Sequence, residues 1–269
     1  MHRLPAVADQ FYPGDKAILQ RTVADLSPNI PPEQKIKALA VIAPHAGYIY
    51  SGAVAGETFA KVTIPKDVIL MGPNHHGQGA PVALMRSGIW QMPMGDVQIN
   101  EELADILLDS SPLITTDTIA HRFEHSLEVE VPFLQHSQPN LSLAPLVISH
   151  LSLDDCLQLG KAIANTIIQF GKQVLIVASS DMTHYETREE ASHKDRLAIK
   201  EVEKLDPDGL YRTVLGHGIT MCGIMPSTVA LAAAVQLGAE SAQLIRYSDS
   251  GDTSGDTDHV VGYAGFAIS

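Results

Sequence analysis

The sequence predicts an α/β fold: a layered sandwich in which a mostly parallel or mixed central sheet is flanked by helices. Val/Ile/Leu-rich runs alternate along the chain with amphipathic helical stretches, which is the pattern of βαβ units. Three runs, at residues 37–43, 67–72 and 173–179, are short and bounded by turn residues, as is typical of strands buried on both faces. With 269 residues, 45% of them hydrophobic, the chain can form one large domain, which we expect to span 1–269.

The remaining elements follow from periodicity and capping residues. The acidic first turn of helix 100–109 follows Asn100, an expected N-cap. Residues 126–137 are predicted to form one helix, capped by Ser126 and kinked at Pro132. The other predicted helices are 16–26, 52–61, 154–170, 187–204 and 226–237, and the other predicted strands are 81–86, 143–148, 242–248 and 259–268.

Charge and composition restrict the partners. The formal net charge is −13, so the surface repels phosphate backbones and anionic membranes. No apolar run reaches the roughly 20 residues of a membrane span, and the N-terminal stretch lacks the apolar segment of a signal peptide. The two cysteines, Cys156 and Cys222, do not form a disulfide framework. We therefore expect a cytoplasmic protein that binds neither nucleic acid nor membranes.

Each of the three buried strands is followed by histidine. The residues are His45 after the first strand, His75 and His76 after the second and His184 after the third. In an open α/β sheet the ligand crevice lies beyond the carboxyl ends of the strands. Imidazole is the commonest metal ligand and proton-transfer group, so these histidines predict a metal or acid–base site in one crevice. Adjacent loop residues point in different directions, so only one of the neighbouring pair is expected to be a ligand.

Asp181 directly follows the third strand and precedes His184 by three residues. A carboxylate beside an imidazole selects its tautomer and raises its pKa, which suits a general acid or base. The alternative is that Asp181 caps the following helix.

Cys222 immediately precedes helix 226–237, where a helix N-terminus lowers a thiol pKa and favours a thiolate ligand or nucleophile. The alternative is a small buried hydrophobe, which suits Cys156 better. As a nucleophile without metal, Cys222 would pair with His217, five residues upstream. As a ligand beside His45 and His75, it completes a set that suits Zn, Cu or Fe(II) rather than Mg or Ca.

Two acids flank a histidine in the segment RFEHSLEVEVPFL. Glu124, His125 and Glu128 lie at the start of a predicted helix. They form either a group that orients metal ligands or a capping cluster with solvated acids.

Seven motifs, in this order between residues 3 and 267, resemble the Memo family: RLPAVADQFYPGD, IAPHAGYIYSG, GPNHHG, EHSLEVEVPFLQ, SSDMTHY, MCG and SGDTSGD…VVGYAGFA. The resemblance implies a fold like that of the class III non-haem iron extradiol dioxygenases, the LigB-like fold. It places the metal ligands at His45, His75 and Cys222. It also implies that Asp181 and His184 line the same pocket, with His125 as a further acid–base histidine.

Those dioxygenases bind iron through two histidines and one carboxylate. A thiolate in place of the carboxylate shifts metal preference toward zinc or copper(I) and changes the redox potential of iron. Dioxygenase activity therefore does not carry over with the fold. We expect a metal-binding protein, with Fe(II) or Cu as the favoured metal and Zn as the alternative, that performs redox or oxygen-dependent chemistry on a small substrate.

Two further hypotheses about function stay open, and they differ in whether the protein is an enzyme. The same pocket would serve a non-catalytic module that binds a peptide or a protein. A zinc-bound water would support hydrolysis, with Asp181 and His184 as the general base. The resemblance to microbial members also implies an AMMECR-type protein and a radical SAM protein as companions.

Overall fold

A computed structural model describes residues 2–269; residue 1 of the predicted 1–269 domain lies outside the described residues. The strands are β1 (His2–Arg3), β2 (Ala40–Ala43), β3 (Asp67–Pro73), β4 (Val82–Leu84), β5 (Ile89–Trp90), β6 (Val97–Ile99), β7 (Thr115–Thr116), β8 (Ser142–Ile148), β9 (Val174–Ser179), β10 (His184–Glu186), β11 (Ala242–Asp249) and β12 (Val260–Ile268). The helices are α1 (Lys16–Leu26), α2 (Tyr48–Ala60), α3 (Glu101–Ser110), α4 (Val131–Ser137), α5 (Leu153–Phe170), α6 (Arg188–Glu203), α7 (Pro207–Gly216), α8 (Ile224–Gln236) and α9 (Gly251–Ser254), and Pro32–Gln34 and Glu128–Glu130 form 3₁₀ turns.

These strands join into one mixed sheet, which confirms the predicted fold class. Its main path runs β1-β5-β6-β8-β3-β9-β2-β12-β10, with β11 beside β12 and β4 beside β8 and β7. The central strands β8, β3, β9 and β2 are parallel to one another, whereas β12 pairs antiparallel with β2. The carboxyl ends of the parallel strands therefore lie along one edge of the sheet, where the strand-following histidines are found.

The central strands bury both of their faces because helices cover the sheet on each side. Successive side chains alternate between faces: Ile69 packs in the cluster that includes α3, α5 and α8, and Leu70 packs in the opposite cluster with α1, α2 and α4. This two-sided burial explains why β3 and β9 are continuous apolar runs rather than alternating ones. Within residues 2–269, no helix has both the length and the apolarity of a membrane-spanning segment.

The segment 126–137 differs from the prediction of one kinked helix. It forms a 3₁₀ turn at Glu128–Glu130 followed by α4. Pro132 lies in the first turn of α4, where a backbone N–H has no helical partner, so the proline starts this helix and does not bend it. Ser126 does not cap a helix: its hydroxyl donates to the Pro73 carbonyl at 3.0 Å and joins this segment to the end of β3.

Several short elements were not predicted. The helix α7 begins with Pro207 after the N-cap Asp206, which is a recognisable pattern for a helix start. The strand β10 contains His184 and lies between β9 and α6, where no element was predicted. Strands of two or three residues such as β1 carry no periodicity and form only because a neighbouring strand accepts them.

The buried carboxylate of Glu128 holds the N-terminal segment to the 3₁₀ turn before α4. Arg3 Nη1 donates to Oε2 at 2.6 Å, and Tyr12 Oη donates to Oε1 at 2.5 Å. The backbone N–H groups of Ala6 and Val7 donate to the same carboxylate at 2.8 and 3.0 Å. Arg3 also donates to the carbonyls of residues 121 and 124, so the N-terminal segment and the loop before α4 hold each other in place.

Replacing Glu128 with Ala will destabilise the protein by about 3–5 kcal/mol, because it leaves the buried Arg3 guanidinium without its counter-charge. Urea unfolding measures the loss, and amide hydrogen exchange at Ala6 and Val7 will accelerate. Glu57→Ala is the matched control, since its pair with Arg246 is partly exposed and contributes at most about 1 kcal/mol. Equal losses in the two variants would contradict the assigned role of Glu128.

A second buried group makes stability depend on pH. The side chain of His121 is buried, and its ring Nε2 lies 2.9 Å from the Ala83 carbonyl oxygen, to which it donates. Burial lowers the pKa of His121 to about 4. Between that value and the ordinary histidine pKa of about 6.5, the unfolded chain holds a proton that the folded chain does not. His121 therefore stabilises the fold fully above this window, and the contribution is lost as pH falls through it.

His121→Gln will reduce the acid sensitivity of the unfolding free energy, since the amide still donates to Ala83 but cannot titrate. The difference from wild type will amount to roughly 3 kcal/mol across the window. Chemical denaturation at a series of pH values measures it, with His193→Gln on the exposed face of α6 as control. Parallel pH profiles for wild type and His121→Gln would refute the assignment.

Candidate metal centre

Three imidazoles meet beyond the carboxyl ends of β2 and β3. The donor atoms of His45, His75 and His125 lie within 4.8 Å of one another. The ring centroids of His45 and His75 are 5.2 Å apart, and the rings of His75 and His125 stack at 4.5 Å. His45 and His75 follow two parallel strands that β9 separates, and His125 comes from the loop before α4. This group of three histidines can hold a metal ion.

His45 is buried and its ring orientation is set by Ser179 at the end of β9. The ring Nδ1 lies 2.7 Å from Ser179 Oγ, which leaves Nε2 as the nitrogen that can bind a metal. Burial lowers the pKa of His45 well below its usual range, and the neighbouring imidazoles lower it further. The ring is therefore neutral at physiological pH, as a metal ligand requires.

Asp181 holds the turn that carries His45. Its Oδ1 accepts the backbone N–H of His45 at 2.8 Å and that of Ala46 at 3.3 Å. It does not cap the following helix, because Thr187 occupies the N-cap of α6. Burial raises the pKa of Asp181 to about 6, although these two N–H groups favour the ionised carboxylate.

His75 is oriented by the carboxylate of Glu124. One oxygen accepts the backbone N–H of His75 at 2.7 Å, and the other lies 2.8 Å from its Nδ1. Burial alone would raise the pKa of Glu124, but the hydrogen bonds from His75 and from the Ser126 N–H outweigh it and lower that pKa well below its usual range. Of the two readings of this acidic segment, the geometry thus favours a role in orienting a ligand histidine.

His76 points away from its neighbour. Its Nε2 lies 2.9 Å from the carbonyl oxygen of Phe123, on the protein surface. His75 faces the cavity beyond the strand ends, whereas His76 does not. The two adjacent histidines therefore point in different directions, as expected for neighbouring residues of a loop.

Cys222 lies against His45. Its Sγ is 3.2 Å from His45 Nε2 and accepts the Asp181 N–H at 3.3 Å. The helix N-terminus was expected to favour a thiolate, but the surroundings of Cys222 oppose ionisation of the thiol in the metal-free protein. Burial raises the pKa of Cys222 well above its usual range, and the nearby charge of Asp181 raises it further. The thiol hydrogen-bonds with His45 rather than with His217, which is an exposed residue at the end of α7.

Cys156 is fully buried in the core of α5, where its thiol contacts the Met225 sulfur at 3.8 Å. This position agrees with the prediction that Cys156 is a small core hydrophobe.

His184 lines the same cavity but is not paired with Asp181 as expected. Its ring Nδ1 lies 2.9 Å from the Thr220 carbonyl, and its backbone N–H donates to Thr220 Oγ1 at 2.7 Å. The Asp181 carboxylate is occupied by the backbone of the His45 turn, so the main chain of Thr220 orients His184 instead.

His125 lies among the possible metal ligands, although only an acid–base role was expected for it. Its ring stacks on His75 and contacts the Phe11 ring at 4.7 Å. Burial lowers the pKa of His125 to about 4, even though the charge of Glu124 opposes the shift. No spacing pattern predicts this contact, because His125 does not follow β2, β3 or β9.

The histidines open into a cavity of about 690 Å³, which is large enough for a small organic molecule. Asp181 and His184 also line it, so the structure gathers all the predicted site residues except Cys222 into its wall. The remaining lining includes side chains that were not among the predicted site residues: Phe11, Tyr50, Tyr185, Tyr263, Asp256 and His259. Tyr185 has a φ of 61°, a backbone conformation that is uncommon for a residue other than glycine, and its ring is exposed at the rim.

The fold and the site define an α/β protein with a histidine cluster at the carboxyl edge of a mixed sheet. The family model described as Memo-like protein matches residues 3–267. This chain belongs to the Memo family.

Its relatives cover nearly the whole chain. A MEMO1 family protein of Aquifex aeolicus (strain VF5) is 40% identical over 264 residues, which are 98% of this chain and 97% of that protein. Another, of Methanosarcina acetivorans, is 38% identical over 99% of this chain and 98% of that protein. The crystal structure of an uncharacterized protein from Escherichia coli K12 superposes with a TM-score of 0.56 at 13% identity, over 85% of this chain and 99% of that one. This last likeness shows the fold alone.

Proposed function

We propose that this Memo-family protein binds a redox-active transition metal, Fe(II) or Cu, through His45, His75 and Cys222, and uses it for oxygen-dependent chemistry on a small substrate. The observation that carries the proposal is the orientation of the two histidines. Ser179 occupies Nδ1 of His45 and Glu124 occupies Nδ1 of His75, so Nε2 is the nitrogen of each ring that is left to bind a metal, and Nε2 of His45 faces the Cys222 sulfur. Such outer partners are the usual support of metal-binding histidines.

The separation between Cys222 and His45 suits two ligands of one ion. Typical zinc–sulfur and zinc–nitrogen bonds are about 2.3 and 2.1 Å, so cis ligands lie about 3.1–3.6 Å apart. The Sγ to Nε2 distance of 3.2 Å falls in this range. Cys222 would lose its thiol proton on binding a metal, as other cysteine ligands do.

Two further histidines of the cavity, His184 and His125, are assigned to proton transfer. His184 has Nδ1 engaged with the Thr220 carbonyl, so its Nε2 is free to give or take a proton in the cavity. His125 lies beside the ligands and serves as a second acid–base group. A bound redox metal supplies electron transfer and an open coordination position, while the aromatic side chains of the wall hold an organic substrate.

The ligand set is tested by adding Co(II) to metal-free protein. Wild type is expected to bind one equivalent with a sulfur-to-cobalt charge-transfer absorption. Cys222→Ser will abolish this absorption and weaken binding, and His45→Ala or His75→Ala will weaken binding by at least about 100-fold, because each removes a donor atom. His193→Ala is the matched control, since that exposed histidine lies on α6.

If wild type binds Co(II) without the sulfur-to-cobalt absorption, and His125→Ala no longer binds Co(II), the third ligand is His125 and not Cys222. Elemental analysis of anaerobically purified protein tests the metal. Iron or copper supports redox chemistry, whereas zinc alone would favour the hydrolytic reading.

Oxygen consumption by Fe(II)-loaded protein with a panel of catechols and other reductants tests the chemistry. Loss of proton transfer in His184→Ala is expected to slow uptake by about 10²–10⁴-fold while Co(II) affinity stays at the wild-type level. His193→Ala controls for the loss of a histidine. Absence of uptake with every substrate, in protein that retains its metal, would contradict an oxygen-dependent enzyme and favour the binding-module reading.

A further inference from the structure

The Ser179 hydroxyl lies at the centre of a buried hydrogen-bond group with three partners. Its Oγ is 2.7 Å from His45 Nδ1, 2.7 Å from the Ser126 carbonyl oxygen and 2.8 Å from Glu130 Oε1. Ser179 and Glu130 are both fully buried. A serine hydroxyl has one proton to donate and two lone pairs to accept with, so the three contacts restrict the protonation of the partners.

The Ser126 carbonyl can only accept a hydrogen bond, so it takes the single hydroxyl proton of Ser179. The other two partners must then donate. His45 therefore carries its proton on Nδ1, and Glu130 carries a proton on Oε1. If Glu130 were ionised, two acceptors would compete for one proton, and one of them would stay buried and unpaired at a cost of about 1–3 kcal/mol.

The surroundings of Glu130 favour the neutral acid independently of this count. Its second oxygen, Oε2, has no hydrogen-bond partner among residues 2–269, and no basic side chain forms an ion pair with it among those residues. Burial raises the pKa of Glu130 well above its usual range, although the contact with Ser179 opposes the shift. A buried carboxylate with a free oxygen and no counter-charge is far more costly than a neutral carboxylic acid.

We propose that Glu130 is a positioning residue that stays protonated and, through Ser179, holds His45 in the Nδ1–H tautomer with Nε2 free for the metal. The positioning role of Glu130 rests on the metal site proposed above, but the protonation of Glu130 and the tautomer of His45 do not. The two metal-binding histidines would then be oriented in different ways: His75 by an ionised carboxylate in direct contact, and His45 by a neutral acid acting through a hydroxyl. Only one of the two carboxyl groups adds charge beside the metal.

Infrared and NMR measurements on the metal-free protein test the protonation directly. At neutral pH, wild type should show the C=O absorption of a buried carboxylic acid, and Glu130→Gln should lack it. Ring ¹⁵N shifts should report protonated Nδ1 and unprotonated Nε2 for His45. Glu130→Gln should keep this tautomer because its amide N–H also donates to Ser179. Absence of the acid band, or a proton on His45 Nε2, would overturn the proposal.

Metal affinity tests the consequence. Ser179→Ala removes the acceptor for His45 Nδ1–H, so Co(II) binding should weaken about 10-fold to 100-fold, while Glu130→Gln should bind as wild type does. Ser227→Ala is the matched control, because Ser227 is a buried serine of α8 whose hydroxyl has no hydrogen-bond partner within residues 2–269. Equal affinities for Ser179→Ala and Ser227→Ala would overturn the positioning role. Failure of wild type to bind Co(II) would reject the metal site alone, since the acid band and the tautomer are read without metal.

Discussion

The geometry of the site depends on the burial of Glu128 among four hydrogen-bond donors. Its carboxylate receives Arg3, Tyr12 and two backbone N–H groups, and it is completely shielded from solvent. A carboxylate can be buried only when its charge and its lone pairs are satisfied, so the N-terminal segment must fold over the loop before α4. That loop carries Glu124 and His125, and its position therefore decides where two residues of the site lie.

Three glutamates within seven residues of chain meet three different electrostatic environments. Glu124 is ionised because a ring and backbone N–H groups donate to it, and it orients His75. Glu128 is paired with a guanidinium and serves the fold. Glu130 contacts one hydroxyl and no cation, and the protonated form is favoured because so few donors surround it. The pKa values of Glu124 and Glu130 thus shift in opposite directions, because the fold gives Glu124 several hydrogen-bond donors and Glu130 only one hydroxyl.

Much of the fold could be predicted from the chain, because the parallel strands are buried on both faces and must be apolar throughout. The helices α1 and α5 could likewise be placed within a residue of their bounds from spacing and caps. The short strands β1, β5 and β7 could not, since two residues carry no periodicity and are defined by the strand beside them. The prediction of one helix over 126–137 was wrong. The apolar spacing fits a helix, but Ser126 hydrogen-bonds to Pro73 and the segment starts with a 3₁₀ turn before α4.

By itself the sequence determined that histidines follow the ends of parallel strands, and hence that His45, His75 and His184 share one crevice. Strand direction alone brings such residues to a common edge, so no knowledge of distant contacts was needed. Only the tertiary structure decided that Thr220 orients His184, that Cys222 lies against His45 in surroundings that oppose its ionisation, and that His125 lies among the donor atoms. Those outcomes depend on burial and on partners far apart in the chain, and neither quantity is encoded in local spacing.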